Sequence, residues 1–519
     1  MRDAVFALLR RFGMTTIFGN PGSTELPMLR GFPADFRYVL GLQEASVVGM
    51  ADGYAQATRN ASVVNLHSAV GVGHAMGNIF TAYRNRTPIV ITAGQQARSI
   101  LPFEPFLSSI QPTELPKPYV KWSVEPARAQ DVPLALARAY AIAMMPPRGP
   151  VLVSVPADDW DRAAEPVAER VVSTAVRPEP ALIERMGAAL AASERPAFVV
   201  GAAIDRDGAW NEAVQLAEAH QARVWAAPMS GRCSFPEDHP LFAGFLPAAR
   251  EKIVTLLAGY DLIFAIGAPV FTYHVEGRGP HVPPGAQVCQ LIDDPATAAW
   301  TPLGIVAVGS LRLGLLDLLA LPVPKRRTPP PPREASPRAA ASQPLSVAYV
   351  LQTLQEMRGP LSIIVEEAPS ARPVMQRYLP ITRSESFYTM DSGGLGWAMP
   401  AAVGVALGKP GHRIIAIVGD GSSMYSPQAL WSAAQLRLPI CFLVVNNRRY
   451  AALDEFAPVF GFGAEERVPG TQLPGIDFAA LAEAQGCAGW KVSDAEALRT
   501  VLDQALHMPS PTLIDVEVI

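Results

Sequence analysis

Two hydrophobic rhythms alternate along the chain. Short apolar, β-rich runs occupy residues 16–18, 38–42, 62–66 and 88–93. Between and before them, apolar residues recur at helical spacing: residues 2–12 align Val5, Leu8, Leu9 and Phe12, and residues 44–57 continue the same habit. The alternation restarts after a charged stretch at 161–177, with strand-like runs at 196–204, 222–226, 261–266 and 286–292. It starts a third time near residue 345, with runs at 361–365, 413–418 and 440–445. Short apolar runs that alternate with amphipathic helices predict parallel sheets covered on both faces. The expected fold class is therefore α/β, with three serial α/β domains at about 1–170, 180–320 and 345–519. Residues 322–344 are rich in Pro, Ala, Ser and Arg, including Pro329, Pro330, Pro331 and Pro332, and are expected to form an extended linker. No internal repeat is visible at the level of residues.

Composition agrees with this division. At 519 residues the chain is too long for one core, and 49% hydrophobic with 17% charged residues suits packed globular domains. A net charge of -4 gives no reason to expect nucleic acid or an anionic membrane as partner. No apolar run approaches the roughly 20 residues that span a bilayer. Arg2, Asp3, Arg10 and Arg11 bracket the first apolar stretch, which is not a signal-peptide pattern. Cys233, Cys289, Cys441 and Cys487 are scattered and lack metal spacing, which favours reduced thiols and a cytoplasmic protein. Gly201 and Gly208 do not complete a dinucleotide fingerprint in the middle domain.

The strongest chemical signal lies in the last third. Gly419-Asp420-Gly421-Ser422 follows one buried strand, and Asn446-Asn447 follows the next. Parallel α/β sheets gather ligands at the carboxyl ends of their strands, so Asp420 and Asn447 should share a crevice. The small residues Gly419 and Gly421 allow backbone N–H groups near phosphate oxygens. Asp420 and Asn447 offer hard oxygen ligands suited to Mg2+ or Ca2+. Asp-Gly alone is an ordinary turn; the pair of strand ends is what gives it weight.

This two-part pattern resembles that of thiamine-diphosphate enzymes. The chain is similar, over nearly its whole length, to the thiamine-diphosphate-dependent decarboxylase family, in particular to enzymes of the benzoylformate decarboxylase type. The shared stretches include Phe18-Gly19-Asn20-Pro21-Gly22-Ser23, Leu42-Gln43-Glu44-Ala45, Asn65-Leu66-His67-Ser68-Ala69, Tyr273-His274 and Gly393-Gly394-Leu395-Gly396. The resemblance implies a thiamine-diphosphate-binding fold and non-oxidative decarboxylation of an aromatic or bulky 2-oxo acid to an aldehyde through an enamine on the cofactor, with carboligation as a side activity. It implies that Glu44 serves the aminopyrimidine ring and that His67 and His274 handle protons. Ser23 would grip the substrate carboxylate. Ser370, the Gly393 carbonyl, Leu395, Gly419, Gly421, Ser422 and Tyr450 would contact the cofactor. Asp420, Asn447 and the carbonyl of Arg449 would hold the metal. The substrate pocket would comprise Ser23, His67, His274, Thr389, Ala452 and Phe456. The cofactor would lie between the first domain of one subunit and the third of another, which implies a homodimer at least and a homotetramer as the expected assembly.

Three departures from the family pattern bear on the site. Arg448 and Ala451 stand where the family has glycines, Thr389 replaces an aromatic pocket residue, and Glu366-Glu367-Ala368-Pro369-Ser370 replaces a hydroxyl-rich stretch. Two other readings stay open: an acetolactate-synthase-like carboligase, which the two histidines speak against, and a non-catalytic cofactor-binding homologue. Ser23 would also serve as an ordinary helix N-cap, and His74, His220 and His239 are read as structural.

Overall fold

The computed structural model describes residues 1–323, 327–463 and 465–519. Three six-stranded sheets follow one another along the chain. The first contains β1 (Thr16–Gly19), β2 (Arg37–Leu40), β3 (Ser62–Leu66), β4 (Ile89–Gln95), β5 (Ser123–Val124) and β6 (Val151–Pro156). The second contains β7 (Pro196–Val200), β8 (Arg223–Ala226), β9 (Phe242–Phe245), β10 (Leu262–Ile266), β11 (Gln287–Ile292) and β12 (Ile305–Val308). The third contains β13 (Ile363–Glu367), β14 (Phe387–Thr389), β15 (Ile414–Gly419), β16 (Ile440–Asn446), β17 (Ala488–Val492) and β18 (Thr512–Glu517). Every pairing within these sheets is parallel.

The first sheet runs β2-β1-β3-β4-β6-β5 and the third runs β14-β13-β15-β16-β18-β17, which is the same order counted from each domain's first strand. A repeat invisible in the residues is thus present in the topology. The second sheet, β12-β11-β10-β7-β8-β9, has the doubly wound order of nucleotide-binding domains without their glycine fingerprint. The central strands β3, β4 and β16 are buried at every residue, because helices cover both faces. The run expected at 196–204 ends at Val200, and Ala203–Arg206 turns into a short helix. Residues 324–326 of the expected linker lie outside the described residues. The following stretch carries no helix or strand up to residue 342, yet it is strapped down. Arg327 donates to the carbonyls of Leu190 (2.5 Å) and Ser193 (2.6 Å), and Arg333 reaches Gln376 of the third domain (3.3 Å).

Two helices join the first and third domains, Glu44–Thr58 and Ala398–Gly408. They touch backbone to backbone. A Cβ on Gly53 would overlap the Ala401 carbonyl, and one on Gly404 would overlap the Met50 carbonyl. Beside this crossing Asp52 is fully buried and accepts from Gln56 (2.8 Å), Asn85 (2.9 Å), Thr87 (2.7 Å) and the Trp397 indole (2.8 Å). Four donors offset the desolvation of one carboxylate, which burial pushes toward its neutral form.

Candidate active site

The site residues of the third domain stand at the carboxyl ends of adjacent strands. β15 ends at Gly419, and Asp420 opens a short helical turn, Asp420–Ser423. β16 ends at Asn446 and leads to Asn447. The backbone N–H of Arg449 donates both to Asp420 Oδ2 (3.0 Å) and to Asn447 Oδ1 (3.2 Å), so the two oxygens converge on one point. Burial pushes the Asp420 carboxyl above its ordinary range, against backbone N–H donors that include Gly421 and Arg449. A Cβ on Gly419 would meet nothing closer than Ser422 Oγ at 3.6 Å, so the chain leaves open space beside the carboxylate. Gly421 is required for another reason: the Tyr450 ring lies against it, where a Cβ would overlap. A carboxylate, an amide oxygen and open backbone are a donor set that fits a hard cation and a diphosphate.

The loop beside them is held from within. Gly393 and Gly396 have φ of 72° and 99°, a region that favours glycine. The buried Glu367 carboxylate accepts the backbone N–H groups of Gly396 (2.6 Å), Trp397 (2.7 Å) and Ala398 (2.6 Å). That carboxylate caps the start of the helix Ala398–Gly408 and fixes the exit of the Gly393–Leu395 loop. Leu395 packs half-buried on the core, and Ser370 is half-buried in the turn after β13. Arg448 adopts φ 59°, so the residue that replaces a glycine occupies the left-handed region; Ala451 simply opens the helix Ala451–Phe456.

The first domain presents its groups at the same kind of edge. Glu44 opens the helix Glu44–Thr58 after β2, with the Gln43 side chain capping Ser46 N–H (3.1 Å). His74, read as structural, stands with Nδ1 3.1 Å from Glu44 Oε2. His67 follows β3 and precedes the helix Ser68–Arg84. Ser23 is not an N-cap. It is the first residue of a 3-10 turn, Ser23–Glu25, that follows an extended Gly22. The Glu25 carboxylate takes the Gly22 N–H (2.8 Å), so the exposed Ser23 hydroxyl is left without a capping duty.

The pocket residues divide. His274 and Phe456 meet, ring centroids 4.6 Å apart, with Ala452 half-buried one turn earlier on the Phe456 helix. Thr389, expected to line the substrate pocket, is turned inward. It is 1% exposed, and its hydroxyl donates to Glu366 (2.9 Å) beside Arg372. Its polar capacity is spent inside the chain. Among the described residues no hydrogen bond or ion pair joins Glu44, Ser23 or His67 to Asp420 or Asn447.

The family described as thiamine pyrophosphate enzyme matches in three parts: its N-terminal TPP binding domain at residues 1–112, its central domain at 183–317 and its C-terminal TPP binding domain at 370–516. The chain belongs to the thiamine pyrophosphate enzymes. This thiamine pyrophosphate enzyme is 43% identical to a benzoylformate decarboxylase of Pseudomonas aeruginosa, over 99% of its own length and 98% of the relative's. Its fold superposes on the crystal structure of a benzoylformate decarboxylase from Polynucleobacter necessarius with a TM-score of 0.97 at 41% identity, covering 100% and 98% of the two chains. A 4-hydroxybenzoylformate decarboxylase of Rhodococcus jostii RHA1 gives 0.95 at 40% identity, with coverage of 100% and 98%.

Three supporting residues of this thiamine pyrophosphate enzyme carry no assignment from the sequence: Asp52, Glu25 and Glu367. Each is a carboxylate in an apolar or glycine-rich neighbourhood. The signal available was a charged residue where burial was expected, which demands partners.

Proposed function

We propose that this thiamine pyrophosphate enzyme removes carbon dioxide from an aromatic 2-oxo acid and releases the aldehyde. The observation that carries the reading is the convergence of Asp420 and Asn447 on the Arg449 N–H at the ends of neighbouring strands. Asp420, Asn447 and the Arg449 carbonyl would hold Mg2+ or Ca2+. Gly419, Gly421 and Ser422 would receive the diphosphate, and Ser370, Gly393, Leu395 and Tyr450 the rest of thiamine diphosphate. When bound, that cofactor supplies a carbon nucleophile and an electron sink. Glu44 would hold and exchange a proton at the pyrimidine edge. His67 and His274 would carry protons to and from the substrate oxygen and carbon. Ser23 would bind the carboxylate, while Phe456 and Ala452 would face the substrate's apolar body.

Glu44 would come from a second copy, making the active unit a homodimer and the assembly a pair of dimers. Phe103, Phe106 and Ile110 support this: they are 80%, 86% and 84% exposed in the single chain, on a loop tied to Ser68 beside His67 by a 2.7 Å bond to the Leu107 carbonyl. Four buried free cysteines support a cytoplasmic setting, and no helix among the described residues is long and apolar enough to cross a membrane.

Carbon dioxide release from a panel of 2-oxo acids, with and without thiamine diphosphate and Mg2+, tests the reading. Cofactor-dependent release from benzoylformate or its 4-hydroxy analogue is expected, with carboligated hydroxyketone as a minor product. A preference for pyruvate with acetolactate as main product would favour the synthase reading. Glu44→Gln should abolish turnover; activity within about tenfold of wild type, roughly 1.4 kcal/mol of barrier, would remove Glu44 from the mechanism.

A further inference from the structure

The groups behind His67 form a closed hydrogen-bond set. Glu25 is 1% exposed. Its Oε1 accepts from Thr24 Oγ1 (2.6 Å), and its Oε2 accepts from Gly22 N–H (2.8 Å) and lies 2.9 Å from His67 Nδ1. Thr24 Oγ1 also lies 2.9 Å from His67 Nδ1. A threonine hydroxyl has one proton, and here Glu25 takes it. Both oxygens facing Nδ1 are then acceptors, so Nδ1 must carry a hydrogen. Nε2 has no hydrogen-bond partner among the described residues. Two glycines leave the room this set needs: a Cβ on Gly94 would overlap Glu25 Oε1, and one on Gly22 would overlap the His67 ring.

We propose that Glu25 is a positioning residue for the reaction, holding His67 in the Nδ1–H form so that Nε2 alone exchanges protons with the substrate. The proposal rests on the reading of His67 given above. A carboxylate behind a histidine fixes both ring orientation and tautomer and stabilises the cation that forms when the far nitrogen gains a proton. The buried Glu25 has no other cationic partner among the described residues, so its charge is directed at this ring. Ser68, the next residue, sits buried at φ 48°, a strained conformation that holds the ring's backbone at the strand end.

Neutron diffraction from the holoenzyme above pH 8 reads the tautomer directly. Deuterium on His67 Nδ1 and none on Nε2 is expected; the reverse overturns the proposal whatever the role of His67. In Glu25→Gln the amide can offer an N–H to Nδ1 and stabilise the opposite tautomer. A fall in kcat of about 100-fold is expected, with thiamine diphosphate affinity near wild type and partial recovery in Glu25→Asp. Wild-type kcat in Glu25→Gln overturns the proposal. If that variant fails to fold, the neutron result on the wild type still decides. Full activity in His67→Ala, with deuterium still on Nδ1 in the wild type, would instead remove His67 from the mechanism and leave the hydrogen-bond assignment standing.

Discussion

At Glu367 a single buried carboxylate ties the loop that ends at Gly396 to solution pH. Burial raises its pKa from 4.5 to about 7, opposed by the three backbone N–H groups it accepts. Between those values the folded chain keeps a proton that the unfolded chain has released. The native state then binds more protons, so stability falls as pH rises through this window. Unfolding midpoints at pH 5 and pH 7 should show this fall. Glu367→Gln, which cannot titrate, should flatten it. Thr389 allows a second test at the same scale. Because its hydroxyl serves Glu366 rather than an open pocket, Thr389→Val should cost about 1–2 kcal/mol of stability while selectivity among aromatic 2-oxo acids stays within about threefold. A large change in selectivity with intact stability would return Thr389 to the pocket.

At the scale of elements, the crossing of the helices Glu44–Thr58 and Ala398–Gly408 sets where Glu44 begins. Helices normally pack through side chains at 8–10 Å; here glycines let the backbones meet. Gly404→Ala inserts a methyl where the Met50 carbonyl stands and should lower stability by about 1–3 kcal/mol, read as a lower denaturation midpoint, with cofactor affinity reduced alongside. The turn after β16 offers the opposite case. Arg448 holds φ 59°, and its ion pair with Glu517 (2.6 Å) is more than half exposed on the arginine side. A left-handed conformation costs a side-chain-bearing residue about 1–2 kcal/mol, whereas an exposed pair returns less than about 1. Arg448→Gly should therefore be neutral or stabilising in thermal melts.

The whole molecule poses the question of shared sites. The first and third domains repeat one strand order, and each puts candidate site residues just past the carboxyl ends of its strands. If each site takes Glu44 from one copy and Asp420 from another, two dead variants can repair each other. Coexpressed Glu44→Gln and Asp420→Ala chains should regain activity, because a mixed dimer concentrates both lesions in one site and leaves the other intact. Random pairing gives about a quarter of wild-type activity. No recovery in a purified mixed dimer would place both groups in a site within one chain.

The hydrophobic rhythm of the sequence determined the α/β class and the central strands, because a strand buried on both faces must be apolar along its length. Residues 62–66 and 440–445 were legible for that reason. It missed five of the six edge strands, β5, β9, β12, β14 and β17, which are short or only partly buried. It missed the interior strands β6 and β18 as well, where Ser154 and Asp515 interrupt the apolar run. Asp420 and Asn447 stand out in the sequence because each follows a buried strand, whereas Glu44 and His67 are singled out only by the resemblance to the family. What only the tertiary structure decided were the partners: which oxygens converge, which hydroxyl is already spent, and which buried carboxylates hold the site. Some of these carboxylates' neighbours are local, as Gly22 and Thr24 are to Glu25, but the ones that join them to the site, His67 for Glu25 and Trp397 for Asp52, come from distant parts of the chain and leave no trace at the carboxylate's own position.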